Sequence, residues 1–502
     1  MASERLPRAS LGIEVGRAHT TGVLLDRDGR ILARAQVEHP PVVPRPGLLE
    51  QEPEVAWAAC REVIARLKAL VEVELVALGL AGEAGGVVFL DRAGRPLRRT
   101  ILGGDRRAEA ELREIHRRLA GAGLPEAGGW RPGACPAAAK ILWLAANEPP
   151  TAQRVAKVLA PKDAVRLRLT GELATDASEA SASGLLDVAL RRWSGPLLEA
   201  LAIAPDLLPE VFEGADVSGR VSVAGAAETG LPEGLPVVAG GSTLACGALA
   251  AGILGEGRGL AWLEPGAGIL VEVAAPPGEP DEALEARCAA TGGWHLLATL
   301  PLAASPLAWF ARGLQPEWAD AARAAGLEPE AALLGEAARA APGAAGLLFL
   351  PALEDAAEGA GSGGAWLGLG PGHGRRELAR SLLEGLGLAL AERLARLRSR
   401  LHPRAPLRLL GRAAQDETWR ALLAAQLGLP LSPLGGGLDA ARGAAMLAGL
   451  GVGLWADAGE AVARAAAAAG PATEVDPQLQ ALYRAVEPAR ARAAAVLATL
   501  RG

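Results

Sequence analysis

Aromatic side chains make up only 3% of this 502-residue chain, whereas glycine alone fills 64 positions and alanine is abundant. A core short of aromatics can bring helices close together, but each helix buries little area. Cysteine is scarcer still. Cys60, Cys135, Cys246 and Cys288 stand far apart with no Cys-x-x-Cys pair. That spacing argues against a disulfide framework or a thiolate metal site and for buried free thiols in a reducing compartment. The six histidines are scattered without metal-ligand spacing. No apolar run reaches about 18 residues, so nothing reads as a membrane span. The N-terminal Met-Ala-Ser-Glu-Arg has no hydrophobic signal segment, and a cytoplasmic protein is expected. A net charge of −6 without a basic stripe excludes a nucleic-acid partner from the expectations.

What is present describes a globular protein: 50% hydrophobic and 22% charged residues, on a chain long enough for two or more domains. Val237–Gly252 organises the reading. A short β-favouring run enters a glycine turn and a small-residue helix leaves it, the pattern of a tight turn near a ligand. That turn carries Ser242 and Thr243, with neither an acid nor a base.

Leu11–Asp26 reads as strand, polar turn and strand, followed by a hairpin at Arg27–Arg30 and a third strand over Ile31–Val37. Glu54–Leu70 has helical periodicity. Val76–Leu80 is a strand running into Ala81–Gly86, with Val87–Leu90 pairing after it. A charged helix reaches about Leu119, Lys140–Trp143 belongs to another, and Val165–Leu169 is a helix closed by Gly171. Asp176–Ser183 reads as a small polar loop able to line a cleft. Gly259–Glu264, Pro265–Gly268 and Ile269–Val273 repeat the opening strand, turn and strand, which suggests a duplicated α/β fold with a ligand cleft between two lobes. Ala274–Pro280 and Glu354–Gly364 read as loops, Arg375–Arg400 as a strong helix, Leu407–Gly411 as a strand entering a turn, and the tail from Ala456 as helical.

The order of these motifs resembles the FGGY family of carbohydrate kinases, in its xylulokinase-like branch, from about Leu11 to Tyr483. Arg45–Pro53, Leu159–Glu172, Trp193, Gly364–Leu369 and Glu377–Gly385 carry the likeness. Gly443–Ala448 resembles the late helix that packs beneath the family's adenosine site. The resemblance implies two actin-like (ribonuclease-H-like) domains, 1–248 on the sugar side and 249–502 on the nucleotide side, that close around a sugar and ATP–Mg. It implies transfer of the γ-phosphoryl group to a ketose or polyol hydroxyl, and the possibility of a homodimer. Such transfer needs positioning, a metal, donor groups and a base for the hydroxyl proton.

Mapped onto this chain, the family's Gly-Gly-Asp turn aligns with Gly241, Ser242 and Thr243. The catalytic aspartate position is therefore Thr243, whose hydroxyl has no proton affinity near neutral pH, and a lost base costs about 10²–10⁴ in rate. Ser242 adds a Cβ where the motif has glycine. The first phosphate turn is Glu14, Gly16, Arg17 and Ala18, with Glu14 the candidate metal carboxylate. The second is Pro265, Gly266 and Gly268, where proline lacks an N–H. The adenosine turn is Gly411, Arg412 and Ala413. Glu83, Ala84 and Gly85 stand at sugar-contacting positions, and Asp105 and Arg107 are retained beyond Gly103 and Gly104.

Several roles stay open at this level. Arg17 is an anion site or a solvated surface arginine. Asp105 and Arg107 contact a polyol or form a surface ion pair. Glu83 is an exposed turn acid or a relocated catalytic acid. Two functions follow: a weakened or retargeted sugar kinase in which Glu14, Asp105 or Glu264 takes over part of the acid role, or a pseudokinase that binds a sugar or anion and regulates a partner.

Overall fold

A computed structural model of the chain describes residues 6–124, 135–263, 266–276, 284–300, 305–351, 364–402 and 405–499. Glu264, Pro265, residues 277–280 of the first expected loop and 354–363 of the second lie outside the described residues. The chain forms two compact units. The first comprises Met1–Gly255, Glu272–Leu296 and Leu438–Ala467; the second comprises Glu256–Val271, Leu297–Gly437 and Ala468–Gly502.

The first unit is built on a meander of β1 (Arg8–Val15), β2 (His19–Asp26) and β3 (Ile31–Glu38), all antiparallel. Helix α1 (Pro53–Leu70) follows, then β4 (Glu74–Gly82), which pairs parallel with β1. Helices α2 (Ala137–Asn147) and α3 (Pro161–Thr170) precede β5 (Pro236–Ser242), which pairs parallel with β4. Strand Val217–Arg220 closes the edge antiparallel to β5. Helix α4 (Thr243–Ala250) leaves β5 directly, and α5 (Ala440–Gly451) returns to this sheet from late in the chain.

Successive strand residues point to opposite faces, and here the two faces differ in size. Leu11, Ile13 and Val15 of β1 and Leu78 and Leu80 of β4 pack with Val63, Ile64 and Leu67 of α1. The other face offers Gly12 and Glu14 on β1, and Ala77, Gly79 and Ala81 on β4. Gly12 and Gly79 are direct partners across the ladder. Helix α5 lies on that bare patch: a Cβ on Gly12 would fall within the Ala441 carbonyl, and one on Gly79 within that of Ala444. Gly443 makes the same approach from the helix side, onto the Cys246 carbonyl of α4. The helix expected from the resemblance beneath a nucleoside site therefore packs on the first sheet.

The second unit repeats the plan. Gly259–Leu263 pairs antiparallel with Ala267–Val273 and parallel with Leu407–Leu410, which pairs parallel with Leu431–Pro433. Strand Trp294–Leu300 neighbours Ala267–Val273 on its other side. Read from third strand to fifth, this is the order of β3, β2, β1, β4 and β5 in the first unit, so the duplication inferred from the two hairpins is present. Helix Arg375–Leu397, ending in a 3₁₀ turn to Arg400, matches the expected strong helix.

Two local expectations change. Val88–Leu90 pairs antiparallel with Lys157–Leu159 and not with the strand before it. Asp176–Ser183 is not an open polar loop: Asp176 caps a helical turn over Ala177–Ala180, and the segment is buried. Among the described residues no helix is long and apolar enough to cross a membrane.

The glycine patch makes a direct prediction. Gly12→Ala should destabilise the first unit by about 3 kcal/mol, the upper end of overpacking costs, because backbone carbonyls cannot yield as a side chain can. Gly335→Ala, in helix Pro329–Ala338 with open space around it, should instead be neutral or stabilising by about 1 kcal/mol. Chemical denaturation of the two variants beside wild type checks both signs.

Candidate functional site

The parallel strands β1, β4 and β5 end side by side. Glu14 is opposite Ala81, and Gly82 is opposite both Val15 and Ser242. Open α/β sheets place ligands at the carboxyl ends of their parallel strands, and here those ends carry Glu14, Glu83 and Thr243.

Strand β5 reaches its end through a kink. Gly240 has φ of +74°, and a Cβ there would overlap the Leu80 carbonyl. The pairing register with β4 is irregular between Val238 and Gly241. Ser242 then sits at ordinary φ (−64°) and caps α4, its hydroxyl accepting from the Ala245 N–H at 3.2 Å, while its own N–H donates to Ser178 Oγ at 2.8 Å. The added Cβ that the motif made suspect is thus a helix cap.

Thr243, the first residue of α4, is half-buried and donates its hydroxyl to Glu14 Oε1 at 3.2 Å. Glu14 is 8% exposed. Burial pushes its carboxyl up to about 7; the Thr243 hydroxyl opposes that rise, Asp439 adds to it, and Arg34 works against it. Asp439 itself caps α5 and takes a bidentate pair from Arg34, at 2.7 and 3.1 Å. No spacing signal marks that pair, which joins β3 to a residue 405 positions later.

Arg17 is an exposed arginine whose charge is paired. Its guanidinium is closed on the Glu83 carboxylate, with Nε to Oε2 at 2.9 Å and a second, shorter contact. Glu83 is likewise paired, and a Cβ on Gly104 would come within 3.3 Å of the same guanidinium. Gly16 closes the first turn by donating its N–H to the His19 carbonyl at 3.0 Å.

Asp105 and Arg107 form a buried pair, not a surface one. Asp105 is fully enclosed and accepts from the Leu49 N–H, the Arg107 N–H and the Arg107 guanidinium, at 2.6–3.0 Å. Arg107 also pairs with Glu50 at 2.8 Å and lies over the Trp143 ring. Burial opposes the Asp105 charge, but Arg107 and the two N–H groups hold its carboxyl below the usual range. With its oxygens so engaged, Asp105 is a framework group.

Beneath these turns lie charges that the sequence reading passed over. Lys140, read only as a helical residue, is fully buried and donates from Nζ to the carbonyls of Gly85 at 2.6 Å and Leu102 at 2.7 Å. Lys162 pairs with Asp163 at 2.6 Å and Asp176 at 2.7 Å. Arg166 donates to Ser218 Oγ and to the Val238 and Ala239 carbonyls just before the β5 kink. Glu179 completes the group, accepting the Gly85 N–H, and burial pushes it up to about 8. A Lys-Asp pair inside an otherwise apolar helix start was the one available signal.

In the second unit, Gly411 has φ of +90° and precedes the short helix Arg412–Gln415. Arg412 turns to Glu328, at 2.8 Å, and Ala413 is buried. Gly266 has φ of +70°, and Gly268 is covered by the Trp262 ring. Among the described residues no group of three or more His, Cys, Asp or Glu is arranged to hold a metal ion.

Comparison with known proteins matches residues 9–250 to the N-terminal domain, and 270–452 to the C-terminal domain, of the FGGY family of carbohydrate kinases. The chain is 33% identical to a xylulose kinase of Escherichia coli (strain K12) over 447 residues, covering 87% of this chain and 89% of the relative. It is 28% identical to an L-xylulose/3-keto-L-gulonate kinase of the same organism over 470 residues, 90% of each. The crystal structure of a xylulose kinase from Rhodospirillum rubrum matches with a TM-score of 0.86 at 28% identity, covering 98% of this chain and 99% of that one.

The Glu14 environment sets a pH dependence. Its folded affinity for a proton exceeds the unfolded one, so its contribution to stability is complete below about pH 4.5 and is lost as pH rises through about 7. Glu14→Gln should remove that share of the decline and leave the variant relatively more stable at pH 8. Denaturant midpoints measured from pH 5 to 8 check it.

Proposed function

This chain belongs to the FGGY family of carbohydrate kinases, and from that premise we propose that it is a xylulokinase-like phosphotransferase slowed by the loss of an ionisable group at residue 243. The reaction is ATP-dependent phosphorylation of a ketose or polyol, xylulose being the substrate that the relatives' names suggest. The observation that carries the reading is the Thr243–Glu14 hydrogen bond at 3.2 Å. A hydroxyl occupies the strand-end position, and the one carboxyl bonded to it is held near neutrality by burial.

In this reading residues 1–248 form the acceptor side and 249–502 the nucleotide side. The turns at Glu83–Gly85 and Gly103–Asp105 orient the acceptor, and Gly266, Gly268, Gly411, Arg412 and Ala413 lie toward the nucleotide. Magnesium is commonly held by one or two carboxylates together with substrate phosphates. Glu14, a lone hard-oxygen donor at a strand end, fits that mode, and the metal would supply charge neutralisation at the transferring phosphoryl group. Glu14 and Thr243 together hold a single shared proton-bearing contact where the acceptor hydroxyl would have to give up its own. A poor base there lowers the rate without preventing binding.

A second reading, a pseudokinase that binds a sugar or anion and regulates a partner, has its own support. Arg17 is neutralised by Glu83, and the Trp262 ring lies against Gly268, so donor groups at both phosphate turns are engaged or covered.

ADP release with ATP–Mg and a panel of ketoses and polyols separates the two. Thr243→Asp is expected to exceed wild type by at least about tenfold, within the 10²–10⁴ that a positioned base supplies. Wild-type turnover at about 10 s⁻¹, ordinary for an enzyme, with no gain in the variant would refute the impairment. Turnover by neither protein would favour the pseudokinase.

A further inference from the structure

We propose that Lys140 is the positioning residue of the acceptor site, its buried ammonium clamping the Glu83–Gly85 turn to the Leu102–Asp105 turn. The inference rests on reading those two turns as the acceptor-binding segments.

The two segments meet at an antiparallel bridge, where Val87 and Ile101 exchange both backbone hydrogen bonds, and the clamp acts just beyond it, where that pairing ends. Nζ reaches from α2 to the Gly85 carbonyl at 2.6 Å and to the Leu102 carbonyl at 2.7 Å. The Gly85 N–H, in the preceding peptide, faces the buried Glu179 carboxyl. Gly85 has φ of +82°, a conformation open to glycine, and the Lys140 bond fixes its carbonyl beyond the last backbone pairing of the segment. The turns also touch: a Cβ on Gly103 would come within 2.6 Å of the Ala84 carbonyl. Asp105, at the end of the second turn, is fixed by Leu49 and Arg107.

Burying an ammonium is costly, and an apolar side chain of similar volume would serve the packing of α2 at less cost. Burial pushes Lys140 down to about 8, with Asp105 pulling the other way. What the charge adds over a methylene chain is two short bonds that set the distance between the turns. Polar groups that must meet one small polyol lose affinity when their spacing drifts by an ångström.

The test is calorimetric titration of xylulose, xylitol and ATP–Mg into wild type, Lys140→Met and Lys140→Gln, with steady-state kinetics alongside. Lys140→Met should weaken the acceptor at least tenfold while nucleotide affinity stays within twofold, and Lys140→Gln, which keeps N–H donors on a shorter chain, should fall between. KM for the acceptor should rise with kcat within threefold. Folded Lys140→Met with unchanged acceptor affinity overturns the proposal, as does an equal loss for both ligands or a wild type that binds neither acceptor. Should Lys140→Met not fold, Lys140→Gln is read by the same criteria. Acceptor binding that depends on Lys140 without any ADP release would instead count against the kinase reading and leave the clamp standing.

Discussion

A helix can lie against a sheet at backbone distance only where the strands beneath it carry almost no side chain. Gly12 and Gly79, paired across β1 and β4, provide that patch, and Gly443 provides its counterpart on α5. The period of two along a strand makes this a property of one whole face. Residues 11, 13 and 15 are large and meet α1, whereas 12 and 14 look toward α4 and α5. Glu14 is therefore on the small face by parity, and the same close packing that needs Gly12 brings its carboxyl to Thr243. A chain with few aromatics has little bulk with which to hold these layers apart, and the glycines convert that shortage into contact.

Close packing alone would leave the strand ends loosely placed, because turns have few apolar groups to bury. Buried ions take up that task. Arg166 binds the last carbonyls before the β5 kink, Lys162 ties α3 to Asp176, and Lys140 and Glu179 hold Gly85. Such groups are expensive to bury and strongly destabilising when half removed. Lys162 and Arg166 meet Asp163 and Asp176, whereas Lys140 is satisfied by two backbone carbonyls. The turns at the strand ends are thereby held by the chain's own buried groups.

The fold was legible because its signals are local and periodic. The β1–β3 meander, the β5–α4 junction, helix Arg375–Leu397 and the repeated hairpin at Gly259–Val273 follow from alternation, glycine turns and helical period. What misled were elements whose partners lie far off. Val88–Leu90 looks like the next strand of a meander but pairs with Lys157–Leu159, and Asp176–Ser183 looks like a polar loop because its polar groups are satisfied internally. The site was legible as positions and not as contacts. Glu14, Glu83 and Thr243 stand at one set of strand ends, yet the pairing of Arg17 with Glu83 and the full enclosure of Asp105 depend on tertiary approach. Lys140 carried no spacing signal, since a lysine in a helix is usually solvated.

The pairing of Glu14 with Thr243 has an electrostatic logic of its own. Two carboxylates within hydrogen-bond distance cannot both ionise at neutral pH, and one proton affinity rises sharply. Glu14 already feels Asp439 and Glu83, both of which favour its neutral form. A hydroxyl at 243 adds a donor in place of another negative charge, so it is the residue type that best tolerates a long, buried carboxyl reaching from β1. The two positions are therefore coupled: the glutamate at 14 brings an acid to the helix start, where the hydroxyl at 243 bonds it. Any change that restores charge at one of them alters the proton affinity of the other, and the chemistry available at this strand end belongs to the pair.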